Sequence, residues 1–163
     1  MQTVIFIPAR YPSARFPGKP LAMLAGATGE TRSLIHRSWE AASAVSGVDA
    51  VYVLTDDDRI AAAACDVGAR VLMISDRPRN GTERCAEGLG LLDGVPDVVV
   101  NLQGDAPLTP PHYVEALIEA MEADPGIAMA TPVLRTEADH LARLQADRRA
   151  HRVGATTAVF ARS

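Results

Sequence analysis

The feature of this sequence that most constrains its fold is the alternation of short apolar runs with segments of helical periodicity. The runs "TVIFIP" (3–8) and "DVVVNL" (97–102) are apolar over most of their length and only as long as a strand, which is typical of strands buried on both faces. Between them, "SLIHRSWEAASAV" (33–45) repeats its apolar side chains at helical spacing. This alternation predicts an α/β fold with a doubly wound, mostly parallel sheet, because parallel neighbours require crossover connections.

The same alternation continues along the rest of the chain. Further strands are predicted at 49–57, 69–75, 127–134 and 154–163. Further helices are predicted at 58–68, from 82 to about 92, from 110 to 123 and at 136–147, and Thr109 is expected to cap the third of them. No internal repeat or linker interrupts the pattern, so the 163 residues, of which 48% are hydrophobic, are predicted to form a single domain, 1–163.

Charge and hydropathy limit the classes of partner. The net charge of −4 and the pI near 5.5 argue against a surface that binds nucleic acid or an anionic membrane. The first apolar run follows Met1-Gln2-Thr3 without a basic region, and no apolar run approaches the roughly 18 residues of a membrane span. We therefore expect a cytoplasmic protein that binds a small ligand, with no nucleic-acid or membrane partner.

Three polar loops are the expected place of the functional site. In doubly wound sheets, ligands bind beyond the carboxyl ends of the strands. Loops 8–20, 75–84 and 103–108 each follow a predicted strand, so the fold brings all three to one edge of the sheet. Chemistry-bearing residues are therefore expected in these loops.

The first of these loops is stiff and basic. In "IPARYPSARFPGKPL" (7–21), three prolines limit the backbone, Gly18 allows close approach, and Arg10, Arg15 and Lys19 supply three cations. Such a preorganised cluster suits a polyphosphate, although the same cations could also be solvated surface residues. Neither the dinucleotide fingerprint G-x-G-x-x-G nor the P-loop pattern occurs here.

The loop after the strongest predicted strand supplies the opposite charge. In "QGDAP" (103–107), Asp105 could hold Mg²⁺, which binds phosphate-bearing ligands through one or two carboxylates. Asp105 could equally be a turn residue between a glycine and a proline. The basic loop beside it favours the metal interpretation.

Together, "IPARYPSARFPGKPL", "NGTER" (80–84) and "VVNLQGDAPL" (99–108) resemble the CMP-sugar synthetases, and within that family the branch that activates 3-deoxy-manno-octulosonate (Kdo). The resemblance runs along essentially the whole chain. It implies a Rossmann-like nucleotidyltransferase fold of glycosyltransferase-A type. It also implies a Mg²⁺-dependent cytidylyltransferase that converts CTP and Kdo to CMP-Kdo and pyrophosphate for lipopolysaccharide biosynthesis, as a homodimer.

The resemblance also implies roles for individual residues. The three cations would bind the CTP phosphates, the backbone at 8–9 would lie beside the cytidine, and residues 80–82 would help to select cytosine. Arg84 and Gln103 would face the nucleotide or the sugar acid, and Arg10, Lys19 and the metal ligand Asp105 would be catalytic. The substrate-binding residues are then Pro8, Ala9, Arg10, Arg15, Lys19, Asn80, Gly81, Thr82, Arg84 and Gln103. "NGTER" is also an ordinary helix-capping pattern, and the two interpretations are compatible.

Three departures from the family pattern leave alternatives open. Ala106 stands where the family commonly has an acidic residue, and residues 25–35 form a longer loop than usual. The family continues well beyond the length of this chain, in a portion expected to carry a second Mg²⁺-binding aspartate, much of the Kdo site and the dimer interface. The alternatives are activation of another acidic sugar, such as 8-amino-Kdo or a sialic-type acid, or an inactive CTP-binding fragment.

Overall fold

A parallel sheet organises the N-terminal part of this chain. A computed structural model describes residues 1–13 and 16–152, and its contacts fall into two units, residues 1–128 and 129–163. The strands are β1 (Thr3–Pro8), β2 (Met23–Ala25), β3 (Thr31–Ser33), β4 (Ala50–Thr55), β5 (Arg70–Met73) and β6 (Val98–Asn101). The helices are α1 (Leu34–Ser43), α2 (Asp58–Cys65), α3 (Gly81–Leu89), α4 (Pro111–Ala123) and α5 (Ala138–Arg149).

The order of the strands explains where a ligand can bind. The main sheet has the order β5-β4-β1-β6, and every pair in it is parallel. From β1 the chain winds outward through β4 to β5 and then returns to the other side of β1 as β6. The strand order therefore reverses between β1 and β6, which is the point where doubly wound sheets open a crevice at their carboxyl edge.

Both faces of the sheet are covered by helices. On one face, Ile5, Ile7 and Val53 pack in one apolar cluster with residues of α1, α2 and α4. On the other face, Phe6 and Leu54 pack in a second cluster with a residue of α3. All six residues of β1 are buried, as the apolar run predicts for a central strand. The predicted α/β class with a mostly parallel, doubly wound sheet is thus confirmed.

The second unit was predicted less well. Residues 127–134, all of them described, form no strand, so that prediction is wrong. A strand needs a neighbour to pair its backbone, and this segment has none among the described residues, while Met129, Val133 and Leu134 remain exposed. The predicted helix is present as α5, which has no buried residue. The predicted strand 154–163 and Arg15 lie outside the described residues, and the single domain stays a prediction.

Two local features differ from expectation. Thr109 does not cap α4, because the cap position belongs to Pro110 and the Thr109 hydroxyl donates instead to the carbonyl of Ala106 at 2.9 Å. The longer loop at 25–35 contributes to an antiparallel hairpin of β2 and β3, which no alternation in the sequence had indicated. Among the described residues, no helix is both long and apolar enough to cross a membrane.

Candidate active site

A cavity of about 320 Å³ lies beyond the carboxyl ends of β1 and β6, within the first unit. Its lining residues are Pro8, Ala9, Arg10, Ser13, Lys19, Pro20, Leu34, Arg79, Asn80, Gly81, Arg84, Gln103, Gly104 and Asp105. They come from the three predicted loops, except for Leu34, which opens α1. The sequence therefore predicted the place of the cavity correctly, because the strand order brings these loops together.

The first loop begins at the end of β1, and residues near both of its ends line the cavity. The amide of Ala9 donates to the carbonyl of Leu54 at 2.8 Å, which prolongs the pairing of β1 with β4. Farther along, the amide of Gly18 donates to the carbonyl of Tyr11 at 2.9 Å, and Gly18 has a φ of 69°, a left-handed conformation that favours glycine. Lys19 then begins a 3-10 turn. As a result, both Arg10 and Lys19 line the cavity.

The third loop runs close under the first. A Cβ at Gly104 would lie 2.7 Å from the carbonyl oxygen of Pro8, so only glycine fits between the two backbones. The hydroxyl of Ser38, which is fully buried on α1, donates to the carbonyl of Gly104 at 2.9 Å. Next in the chain, the carboxylate of Asp105 accepts from Lys19, with Nζ 2.6 Å from Oδ2. The third loop is thus fixed by its contacts with Pro8 and Ser38, while the Asp105 carboxylate stays at the cavity rim.

The second loop ends in a well-formed cap of α3. The Asn80 side chain accepts from the amide of Glu83 at 2.9 Å, and the Glu83 carboxylate accepts from the amide of Arg79 at 2.8 Å. This is the capping arrangement that "NGTER" indicates, with Asn80 rather than Thr82 as the cap. Asn80 and Gly81 line the cavity, whereas Thr82 is exposed and is not among the lining residues.

The start of the second loop is held by a carboxylate of α3. Glu87 accepts from the amide of Ser75 at 2.5 Å and from its hydroxyl at 2.9 Å. These two hydrogen bonds lower the pKa of Glu87, so its carboxylate stays ionised and keeps both bonds at neutral pH. The loop is therefore fastened at both ends to the same helix.

A buried ion pair forms one wall of the cavity. Arg84 is only 4% exposed, and its Nη1 lies 3.3 Å from Oδ1 of Asp56, which follows β4. Its Nη2 donates to the carbonyl of Pro78 at 3.5 Å. Arg84 therefore lines the cavity as expected, but its guanidinium already has protein partners.

The charge of the lining is mainly positive. Four cations, namely Arg10, Lys19, Arg79 and Arg84, face a single lining carboxylate, that of Asp105. On a chain with a net charge of −4, this local excess favours an anionic ligand. Guanidinium and ammonium groups bind phosphate through charge-assisted hydrogen bonds, so the lining suits a polyphosphate.

The residues that sequence reasoning missed act mainly through others. The helical spacing of residues 33–45 places Ser38 on the apolar face of α1, and a polar side chain on such a face is itself a signal of a buried hydrogen bond. Asp56 directly follows β4 and so stands at the same sheet edge as the cavity, but it lies outside the three loops singled out. Arg79 belongs to the second loop and was not selected. Of the residues that were selected, Arg15 lies outside the described part of the chain.

The cavity rim offers a single described carboxylate that could bind Mg²⁺. Among the described residues, no group of three or more His, Cys, Asp or Glu side chains could hold a metal ion. Asp105 offers one carboxylate, 52% exposed, at the rim. Mg²⁺ often uses only one or two carboxylates and takes its other ligands from substrate phosphates and water. The site therefore fits a metal that arrives with a phosphate ligand rather than one held by the protein alone.

The fold and the cavity define an α/β protein with an anion-suited site at the switch point of a doubly wound sheet. A family model described as cytidylyltransferase matches residues 4–162. The chain therefore belongs to the cytidylyltransferase family, and the resemblance in its loop motifs is confirmed.

Individual relatives agree with this assignment. The 3-deoxy-manno-octulosonate cytidylyltransferase of Maricaulis maris (strain MCS10) is 44% identical over 160 residues, which is 98% of this chain and 60% of that protein. The 8-amino-3,8-dideoxy-manno-octulosonate cytidylyltransferase of Shewanella frigidimarina (strain NCIMB 400) is 44% identical over 133 residues, or 80% of this chain and 52% of that protein. A solved structure of CMP:2-keto-3-deoxy-manno-octonic acid synthetase complexed with CTP is 38% identical, with a TM-score of 0.71, over 78% of this chain and 50% of that one.

The lengths of these relatives bear on what can be assigned to the chain. It spans about 60% of the length of the first relative and about half that of the solved structure. The binding of a nucleotide at this cavity and a complete reaction are therefore both proposals.

Proposed function

We propose that this chain carries the CTP site of a cytidylyltransferase that converts 3-deoxy-manno-octulosonate and CTP to CMP-Kdo and pyrophosphate, for lipopolysaccharide biosynthesis. The observation that carries the proposal is the meeting of Lys19 and Asp105, with Nζ 2.6 Å from Oδ2, at the rim of a cavity also lined by Arg10 and Arg79. The names of the relatives and the CTP complex of the solved structure support it.

The cations of the first loop would hold the triphosphate. Arg10 and Lys19 both line the cavity, and Arg15 belongs to the same loop. The Arg10 guanidinium can bind two phosphate oxygens at once, while the Lys19 ammonium acts as a point charge. Lys19 is half exposed, so it can exchange the Asp105 carboxylate for a phosphate at little cost.

Asp105 would hold Mg²⁺ together with the phosphates of the nucleotide. When bound there, the ion stabilises negative charge on the phosphate oxygens. Because the carboxylate is exposed at the rim and already pairs with a cation, its position and charge suit this ligand role. The chain's own residues then position the nucleotide and stabilise its charge.

The chemical step follows from the positions of these charges. The anomeric hydroxyl oxygen of the sugar acid attacks the α-phosphorus of CTP, and the bond from that phosphorus to the pyrophosphate oxygen breaks. The hydroxyl proton leaves to solvent, and pyrophosphate leaves with its bridging electrons. Lys19 and Arg10 stabilise the charge that develops on the phosphate oxygens, and positioning supplies most of the remaining acceleration.

The other side of the cavity would recognise the cytidine. Pro8 and Ala9 at the end of β1 would lie beside the nucleoside, and residues 80–82 would help to select cytosine. Within this group, Asn80 and Gly81 line the cavity, and Thr82 would act through its position next to Gly81 in the first turn of α3. Gln103, whose amide donates to the Asn101 side chain at 2.8 Å, would face the nucleotide or the sugar acid. Arg84 would form the wall behind them.

One specific observation favours a second candidate. The Shewanella relative, whose name gives the 8-amino sugar acid, is as similar in identity as the Maricaulis protein, although over a shorter stretch. The described cavity holds the proposed nucleotide residues, which both reactions would share. Activation of the 8-amino acid, or of a sialic-type acid, is therefore the alternative.

The cellular setting is proposed on broader grounds. The protein would act as a homodimer in the cytoplasm, where CTP is available, and would have no nucleic-acid or membrane partner. The net charge of −4 supports the absence of a nucleic-acid or anionic-membrane partner. Membership of the family supports the dimer.

The experiment combines the chain with CTP and Mg²⁺ and adds Kdo, 8-amino-Kdo or a sialic acid in separate reactions. Pyrophosphate release and a CMP-sugar product with Kdo would support the proposal, while turnover only with another acid would support the alternative. Calorimetric CTP binding without turnover would indicate a non-catalytic binding module. Absence of both binding and turnover would overturn the assignment of the site.

A further inference from the structure

We propose that Tyr11 is a positioning residue for the phosphate site. Its ring, which contacts both the Arg59 guanidinium and the backbone of Gly18, closes the first loop and so keeps Arg10 and Lys19 at one rim of the cavity. This inference rests on the proposed function of the cavity as a CTP site. Tyr11 itself is not among the residues that line the cavity, so it acts through its neighbours.

The closure of the loop explains why Tyr11 affects both cations. The amide of Gly18 donates to the carbonyl of Tyr11 at 2.9 Å. This hydrogen bond joins residues 11 and 18 of the first loop, and we call this point the neck. Arg10 precedes one partner of this hydrogen bond, and Lys19 follows the other. Any change that opens the neck therefore separates the two cations that line the cavity.

The ring of Tyr11 supports the neck from one side. A Cβ at Gly18 would lie 2.9 Å from Cε2 of the ring, so the ring packs directly against this glycine. Gly18 also has a left-handed φ of 69°, a conformation that side chains rarely adopt. The conformation of Gly18 and the position of the ring are therefore matched to each other. The half-buried ring also packs against the apolar cluster that contains Ile5 and Ile7.

A face of the ring is covered by an arginine that is itself fixed. Cζ of Arg59 lies 3.4 Å from the ring centroid. Asp57 holds this guanidinium with two hydrogen bonds, of 3.1 Å to Nε and 2.6 Å to Nη2, and it also caps α2 by accepting from the amide of Arg59 at 3.0 Å. The Asp57 carboxylate raises the pKa of Arg59, so the cation persists over the ring. The first turn of α2 thus anchors the first loop.

The chain contains a matched control for this arrangement. Tyr52 is also half buried, and Cζ of Arg70 lies 5.9 Å from its ring centroid. Its ring packs at 6.0 Å from Phe6, against the apolar cluster on the opposite face of the sheet. Tyr52 therefore shares the chemistry of Tyr11 but packs in the other apolar cluster.

The test compares Tyr11→Leu, Tyr11→Phe and Tyr52→Leu with the unaltered chain. Calorimetry measures the Kd of CTP with Mg²⁺ and the Kd of cytidine, and circular dichroism measures the melting temperature. We expect Tyr11→Leu to weaken CTP binding about tenfold or more and cytidine binding less than about twofold, because only phosphates contact the displaced cations. Tyr11→Phe should restore CTP binding, and Tyr52→Leu should lower the melting temperature while the Kd of CTP stays unchanged.

A second measurement needs no nucleotide. The amide hydrogen of Gly18 is protected by its bond to Tyr11, so Tyr11→Leu should accelerate its exchange with solvent, and Tyr52→Leu should not. Arg59→Leu, at an exposed position, should do the same to a smaller extent, with Arg70→Leu as its control. If Tyr11→Leu does not fold, the comparison of Arg59→Leu with Arg70→Leu tests the inference instead.

The outcomes separate the inference from the proposed function. If the unaltered chain binds CTP and neither Tyr11→Leu nor Arg59→Leu changes that affinity, the positioning role is wrong and the CTP site stands. Equal losses for CTP and cytidine would also overturn it. If the unaltered chain does not bind CTP, the proposed function fails, and unaccelerated exchange of the Gly18 amide in the variants would then overturn the closure as well.

Discussion

The cavity has two ion pairs that differ in their access to water. Lys19 and Asp105 are joined at 2.6 Å, and their side chains are 43% and 52% exposed. Arg84 and Asp56 are joined at 3.3 Å, and their side chains are only 5% and 12% exposed. The rim of the cavity is therefore solvated, whereas its wall is dry.

This difference implies different tasks for the two pairs. An exposed ion pair contributes at most about 1 kcal/mol to stability. Either member of such a pair can therefore give up its partner and bind a ligand instead at little cost. Removal of one partner from a buried pair leaves an uncompensated charge, which costs about 3 to 5 kcal/mol. We infer that Lys19 and Asp105 serve binding, while Arg84 and Asp56 keep the wall in place.

The largest effect is expected for the buried pair. Arg84→Met should lower the free energy of unfolding by about 3 to 5 kcal/mol, because the Asp56 carboxylate would be left without its partner. Denaturant unfolding followed by circular dichroism measures this change. Arg79→Ala, an exposed arginine of the same cavity, should change stability by less than about 0.5 kcal/mol. Equal stabilities of the two variants would show that the Arg84–Asp56 pair does not stabilise the fold.

An intermediate effect is expected at the rim. Lys19→Ala should change the free energy of unfolding by no more than about 1 kcal/mol. It should nevertheless weaken CTP binding about 10- to 100-fold, because a charge-assisted hydrogen bond to phosphate is lost. Calorimetry with CTP and Mg²⁺, together with denaturant unfolding, measures both quantities. Near-normal CTP affinity in this variant would contradict the assignment of Lys19 to the phosphates.

The smallest effect concerns the thiol beside the buried arginine. Burial raises the pKa of Cys85 from 9.0 to about 11. Between these two values the unfolded chain loses the thiol proton while the folded chain keeps it, so stability should fall as the pH rises from about 9 to about 11. The fall should be smaller in Cys85→Ala, as measured by denaturant unfolding across this range. Identical pH profiles would show that the apolar cluster around Cys85 admits water.

Much of the fold was predictable because the signals are local. Apolar runs identified β1 and β6, and the helical spacing of residues 33–45 identified α1. The failed strand prediction has a physical cause. Residues 127–134 have the composition of a strand, but a strand forms only where a neighbour completes its hydrogen bonds, and composition does not reveal a neighbour.

The site was predictable to a similar degree. The three loops that line the cavity followed from the rule that ligands bind beyond the ends of parallel strands, while most of the individual residues came from the family resemblance. The partners of these residues did not follow. Asp56 and Arg84 are 28 positions apart and Lys19 and Asp105 are 86 positions apart, so neither pair leaves a pattern in the sequence.

The sequence by itself determined the alternation of strands and helices and the chemistry of the three loops. These depend on hydrophobic periodicity and on residue type, both of which are properties of short segments. Only the tertiary structure decided which cation pairs with which carboxylate, which pair is buried, and that Tyr11 contacts both Arg59 and Gly18. The physical reason is that these contacts depend on distances and solvent access, which arise only when remote parts of the chain pack together.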